Sequence, residues 1–430
     1  MPGSRSSAPS SRSRSHSGRS SAARVAHPPH ARRSWAWLGL LVGFSTVVGP
    51  SAALSQAGPE PIVIRRGGVY TGTYRSLNAQ QPCITIATDE PVTLRGCVLS
   101  GTGDLIRATQ GWARLTVVDC RGYGLPPTQD QEARGHFLVA EGATALRIEH
   151  NYLEQTRGIS VLRWNGDGTA TQTLAVRYNQ ARNIDSRYRN GGGTMANFVG
   201  LDKVNNLPNL EIAWNEVINE PNNSLVEDNI AIYSSGGTAQ SPFRVHDNYV
   251  QGAYPFPATA DKFSGTGMII DGDPHSSQGY VEAYNNQFVS TCNSAMNIAA
   301  GHDINYHHNR LVTAAVLPDG SRLPTAYTGI AVFNGCHQAN FGNIRVDSNT
   351  IGYVQWGREN PYQDRQDEGD YGLRIVTNTE HLPNPVTHQT EQAEFTRWQQ
   401  KLRVQNLRVG PAPQAPARRT GKNTVVNTVR

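Results

Sequence analysis

The chain is poor in lysine, cysteine, methionine and long apolar runs. Of 430 residues only four are Lys, five are Cys and four are Met, and charged residues make up 17%. One isolated apolar run and a mean hydropathy of −0.48 exclude a polytopic membrane protein, because each span needs about 20 mostly apolar residues. Helix-length amphipathic windows are scarce too, which argues against an α-rich fold. Five cysteines cannot all pair with one another. Cys83, Cys97 and Cys120 lie early, Cys292 and Cys336 late, and this spacing does not fix a connectivity. Gly (42 residues) and Asn are abundant, and 8% of the residues are aromatic. The aromatic content excludes overall disorder, and the Gly/Asn content suits turn-rich β structure.

Acidic residues are missing from both ends. Residues 1–57 hold seven Arg and no acid, and residues 395–430 hold eight Lys or Arg and no acid. The whole chain is +5, so residues 58–394 carry −10. The pI near 9.0 therefore describes the ends. A body at −10 lacks the clustered positive charge that nucleic acid requires.

The first 57 residues have the layout of an export segment. A Ser/Arg-rich stretch over 1–33 is followed by an apolar run from Trp35 to Val48 and by small residues ending at Ser55-Gln56-Ala57. This pattern predicts cleavage and a mature chain starting near Gly58, with no stable membrane insertion afterwards. Retention as an anchor is the alternative. Arg32-Arg33 stands directly before the run, so general secretion and twin-arginine export both remain open.

The body is a repeat. The pattern apolar-x-apolar-x-x-Asn recurs from Leu146 to Asn151, Leu174 to Asn179, Leu210 to Asn215, Phe243 to Asn248, Val281 to Asn286, Ile304 to Asn309 and Ile344 to Asn349. Two earlier copies, Val92 to Cys97 and Leu115 to Cys120, carry Cys in the Asn position. Between the copies lie short apolar-x-apolar segments, such as Ile159 to Val161, Ile230 to Ile232, Met268 to Ile270, Met296 to Ile298, Ile330 to Val332 and Leu373 to Ile375. Alternation with period two makes both patterns strands. No helix-length segment fits between them, which excludes a βα unit. A single chain wound into stacked coils buries the inward residues of each rung on those of the next, about 4.8 Å away. A recurrent Asn at a tight turn tolerates left-handed geometry, and its amide can bond the next Asn in the stack. Cys97 and Cys120 are expected to stack in the same column, within the range a disulfide accepts.

These motifs resemble the right-handed parallel β-helices of the pectin-lyase-like superfamily, over roughly residues 60–380. The resemblance implies an all-β solenoid of about nine or ten rungs with an asparagine ladder. It also implies that the Asn turn joins the second and third strands of a rung, that long loops lead to the next first strand, and that carbohydrate binds over the first-strand sheet. The long insertions, 121–135, 183–194, 251–265, 312–327 and 353–371, all follow a ladder position. Residues 381–430 read as a short helix from Glu391 to Arg403, with Phe395, Trp398 and Leu402 on one face, and a basic tail. The helix is expected to cover the open end of the coil, an edge that would otherwise pair with other chains.

Aligning the first strands stacks the residues that follow them. Asp271, Asp273, His275, His302, Asp303 and His337 then gather on one edge of three successive rungs. Carboxylates beside imidazoles supply general acids and bases, or ligands for a divalent cation such as calcium. Turns also favour Asp, Gly and Asn for backbone reasons alone. The segment Asp273-Pro274-His275 resembles a motif of mannuronan C5-epimerases, which implies proton transfer by His275 with Asp273 orienting it. Ser276 and Ile270 depart from that family's acidic residue and tyrosine. Loop aromatics, Tyr254, Phe256 and Phe263 in one loop and Trp356, Tyr362 and Tyr371 in another, offer faces for sugar rings or pack their own loops. The expectation is an exported, monomeric β-helix that binds or acts on an extracellular polysaccharide as a lyase, epimerase or hydrolase, with Asp271, Asp273, His275, His302 and His337 as its catalytic candidates. Its rival is a non-catalytic structural rod.

Overall fold

In the computed structural model, residues 60–262, 265–355 and 360–413 are described. The segment expected to direct export, the cleavage site expected at Ala57, Phe263, Trp356 and the tail beyond 413 lie outside them. Three parallel sheets of eleven strands each make up the body, and strand order within every sheet advances by one coil at a time. The chain therefore runs first sheet, second sheet, third sheet and on to the next coil, which is a parallel β-helix. Coils are numbered 1 to 11 from the N-terminus.

Each coil has three strands where the periodicity shows two, and there are eleven coils rather than nine or ten. The extra coils are the terminal ones, and neither carries a ladder Asn. In coil 11 the column position is Thr379, and its strands are two residues long, at Glu368–Gly369, Val376–Thr377 and Glu380–His381. Leu373 to Ile375 lies in the turn between the first two of these.

Burial explains the stacking. In the first sheet Val199, Ile230, Met268, Met296 and Ile330 are in register, and all are fully buried. At roughly 25 cal/mol per Å² of buried apolar surface, such columns are the main stabilising term. The third-sheet column carries Gly122, where an added Cβ would meet Cδ2 of Phe137 at 2.4 Å. The glycine leaves room for that ring.

The ladder runs unbroken from Cys97 to Asn349. Each Asn Oδ1 accepts both the backbone N–H and the side-chain amide of the preceding Asn; Asn179 takes them from Asn151 at 3.0 and 2.9 Å. Each Nδ2 also donates to a carbonyl of the preceding coil, as Asn179 does to Ile148 at 2.8 Å. Cys120 N donates to Asn151 Oδ1 at 2.9 Å, and Cys97 N to Cys120 Sγ at 3.3 Å. The two cysteines stack as expected and are free thiols. Burial pushes the Cys120 thiol well above its ordinary pKa.

The left-handed residue is not the ladder Asn but the one before it. Gly96, Asp119, His150, Tyr178, Trp214, Asp247, Asn285, His308 and Ser348 all have φ between 53° and 60°. The turn leaves the Asn amide inside and pushes its predecessor's side chain outward.

The C-terminal helix spans His388–Gln405. A reciprocal Thr387–Thr390 box starts it and left-handed Asn406 ends it, satisfying terminal backbone groups. It does not close the end of the coil. It packs sideways on the third sheet, touching Gln287–Thr291 and Arg310–Thr313, because the side chains it buries are polar as well as apolar. Glu394 binds Arg310 at 2.9 and 2.8 Å, and Trp398 Nε1 donates to Glu216 at 2.8 Å. The chain then runs back along the left-handed column, where Gly410 N donates to Tyr178 O at 2.7 Å and Ala412 N to Asp119 at 2.9 Å. Among the described residues no helix is long and apolar enough to cross a membrane.

Candidate functional site

The outward face of the first sheet carries a cleft of about 430 Å³ across coils 5 to 8. Asp202, Tyr233 and Asp271 are in register on adjacent strands and form one wall. Strand spacing puts the Asp202 and Asp271 Cα atoms about 10 Å apart with the phenol between them. Gly200, Ala231 and Ile269 are the floor; Met195, Asn197, Glu227 and Asp228 are the far wall. The floor is open because two of its three side chains are small. Among the described residues no Lys or Arg lines the cleft.

The electrostatics follow from that lining. Burial raises the Asp228 pKa to about 6; hydrogen bonds from Thr266 oppose the rise, and the charges of Glu227 and Asp271 add to it. Glu227 is raised by desolvation and then by Asp271. The Tyr233 phenol is raised by desolvation and by Asp273, Asp271 and Asp202. Asp202 Oδ1 is buried and has no hydrogen-bond partner among the described residues.

The Asp/His edge is a set of three linked turns at one end of this cleft. Asp271 accepts from the Cys336 thiol at 2.8 Å and from Gly272 N at 2.7 Å. Burial and the bond to Asp271 raise the Cys336 pKa to about 11. Asp273 orients backbone rather than imidazole. Its Oδ1 accepts the His275 N–H at 2.9 Å, and its carbonyl accepts Ser276 N at 3.1 Å. Asp-Pro-His-Ser is thus a side-chain-capped turn with Pro after the capping Asp. The rings of His275 and His337 are exposed and have no hydrogen-bond partner among the described residues. His302 differs: Asp303 holds its Nδ1 at 2.6 Å, and Nε2 stands 3.5 Å from Ser277 Oγ. Among the described residues no three His, Cys, Asp or Glu side chains stand where they could hold a metal ion.

Sequence reasoning missed the residue that ties these turns together. Buried Gln338 donates to Asp273 O at 2.8 Å, Ser276 Oγ at 2.9 Å and Gln278 Oε1 at 3.1 Å, and accepts Gly301 N at 2.8 Å. It also missed Asp202, Glu227 and Asp228. Extending the first-strand alignment to Val199-Gly200-Leu201 reveals Asp202 in the column of Tyr233 and Asp271. The wall facing them comes from Met195, Asn197, Glu227 and Asp228. Of the loop aromatics, Tyr254 is buried, while Phe256 and Tyr371 are 41% and 60% exposed.

No family model and no curated protein matches the sequence. Among solved structures, the chain is similar to a mannuronic acid specific polysaccharide family 6 lyase from the human gut microbiota. The two share 12% identity and a TM-score of 0.32 over 82% of this chain and 91% of that one. Values this low say nothing about chemistry.

Proposed function

We propose that the protein is an exported polysaccharide hydrolase whose reaction centre is the acid cleft on the first sheet. The carrying observation is a set of carboxylates on facing walls of one cleft, with Asp228 retaining its proton to about pH 6. Glycoside cleavage needs one carboxylic acid to protonate the leaving oxygen and one carboxylate on the other side of the bond. Asp228, assisted by Glu227, is assigned the acid role. Asp271 and Asp202 are assigned the base or nucleophile role, and Tyr233 hydrogen-bonds the sugar between them. Lyase or epimerase chemistry removes a proton beside a sugar carboxylate, whose charge must then be neutralised; a lining with four acids and no cation opposes that. The glycosyl unit at the reaction centre is therefore neutral. Asp273, His275, His302 and His337 are not among the residues that line the cleft and are assigned no step in the reaction.

Release of reducing ends from a panel of neutral polysaccharides tests this, with Asp228→Asn and Asp271→Asn alongside the native protein. Each variant is expected to lose about 10²–10⁴-fold in rate. Native activity is expected to fall as pH rises through about 6 and the acid loses its proton. Full activity in Asp228→Asn excludes the acid assignment. No turnover on any glycan favours the structural rod.

A further inference from the structure

A second cleft, of about 320 Å³, has the opposite chemistry. It lies among residues 126–134, 185–192 and Phe256, in the segments between the third and first sheets. Arg134, Arg187 and Arg189 line it with Tyr188 and Phe256, and among the described residues Asp185 is its one lining carboxylate. Asp185 is already committed. Arg187 holds it through Nε and Nη2 at 2.6 and 3.0 Å, donates to the carbonyls of Asn222 and Asn223 at 2.9 and 3.3 Å, and lies 4.8 Å from the Phe256 ring centroid. Every nitrogen of Arg187 is used.

Arg134 and Arg189 are not. Arg134 reaches Asp185 only at 3.5 Å, and its Nε is buried with no acceptor among the described residues. Burial lowers its pKa, the cost of a cation short of a counter-charge. Arg189 pairs with Asp130 at 2.6 Å, and both side chains are more than half exposed, so water screens that pair and an incoming anion can displace it. Two guanidinium groups facing one cleft suit an oxyanion with several acceptor oxygens. One loop serves both clefts: its Arg187–Gly192 part lines the basic one, and Met195 lines the acid one.

We propose that the Arg134–Arg189 cleft is a subsite for a carboxylate or sulfate substituent of the polysaccharide whose neutral unit occupies the acid cleft. The substrate class is then a heteropolysaccharide with intermittent acidic groups, and the inference rests on the acid cleft being the reaction centre. Calorimetric titration of the full chain with a hyaluronan oligosaccharide, which alternates uronic acid with neutral sugar, a κ-carrageenan oligosaccharide, which alternates sulfated with neutral sugar, and sodium sulfate tests it. One of the two acidic oligosaccharides is expected to bind. Affinity should fall about 10- to 100-fold in the Arg134→Gln/Arg189→Gln double variant, and in part in Arg189→Gln alone, where an exposed side chain leaves folding intact. The subsite is overturned if neither oligosaccharide binds, if the double variant binds as the native protein does, or if free sulfate binds as tightly as the sulfated chain. Retained turnover in Asp271→Asn and Asp228→Asn sinks the reaction-centre assignment instead, and leaves the arginine result standing.

Discussion

At the residue scale, the ladder asparagines show how much one buried amide does in a coil. Asn179 accepts two N–H groups from Asn151, donates to Ile148 O and to Asn215 Oδ1 at 2.8 and 3.0 Å, and donates its backbone N–H to that same oxygen at 3.0 Å. Asn179→Ala removes the side-chain share of these and strands two donors of Asn151 where no water reaches. At about 1–3 kcal/mol for each unsatisfied buried group, the expected loss is roughly 2–5 kcal/mol. Urea unfolding measures it, and a loss below about 1 kcal/mol would mean that the amides repair themselves. Asn stood out in the sequence because no other residue offers a donor and an acceptor in this geometry. The left-handed position before it was invisible, since it holds Gly, Asp, His, Tyr, Trp, Asn and Ser alike. There the backbone is imposed by the ladder, against local preference.

At the element scale, the turns and the C-terminal strap differ in what the sequence disclosed. Strands were legible because inward alternation repeats from coil to coil. The acid cleft was only half legible: Asp271 and Tyr233 end aligned strands, but Glu227 and Asp228 begin one, where the aligned pattern carries no period. The helix was legible as a helix and not as a strap. Its apolar residues Phe395 and Trp398 do pack on Tyr249, at ring separations of 5.3 and 6.0 Å. Its position, however, is set by charged groups whose partners lie far away in sequence, Glu394 with Arg310 and Trp398 with Glu216. Trp398→Ala empties the small cluster under the helix and leaves Glu216 one donor short, at a cost of about 3–5 kcal/mol. Coils contact mainly their neighbours, so the loss should stay local. Hydrogen exchange is expected to quicken over 388–413 and to stay slow in the inner coils. Equal slowing or quickening everywhere would make the strap part of one cooperative unit with the solenoid.

For the whole molecule, charge is divided by face. The second sheet carries satisfied ion pairs: Arg177 joins Glu149 to Glu211, and His246 sits between Glu211 and Asp247 at 3.1 and 2.7 Å. Glu211 is held down to about 2, first by its bond with His246. A carboxylate with a lowered folded-state pKa adds stability above its unfolded value near 4.3, and that stability is lost as pH falls toward 2. The first sheet does the reverse at Asp228. Its folded-state pKa of about 6 exceeds the unfolded value near 3.9. The protonated group therefore adds stability that is complete below about pH 4 and lost as pH rises through about 6. A shift of about two units is worth on the order of 2 kcal/mol, and the native fold forgoes it at neutral pH. Such a cost is expected where a carboxyl group is kept out of water for its chemistry rather than for the fold. Asp228→Asn keeps the shape and cannot ionise. Its melting temperature should match the native protein near pH 4 and exceed it by several degrees near pH 8. Parallel melting curves for the two proteins across that range would show that Asp228 is already ionised in the folded state, and would remove the general acid on which the proposed hydrolysis depends.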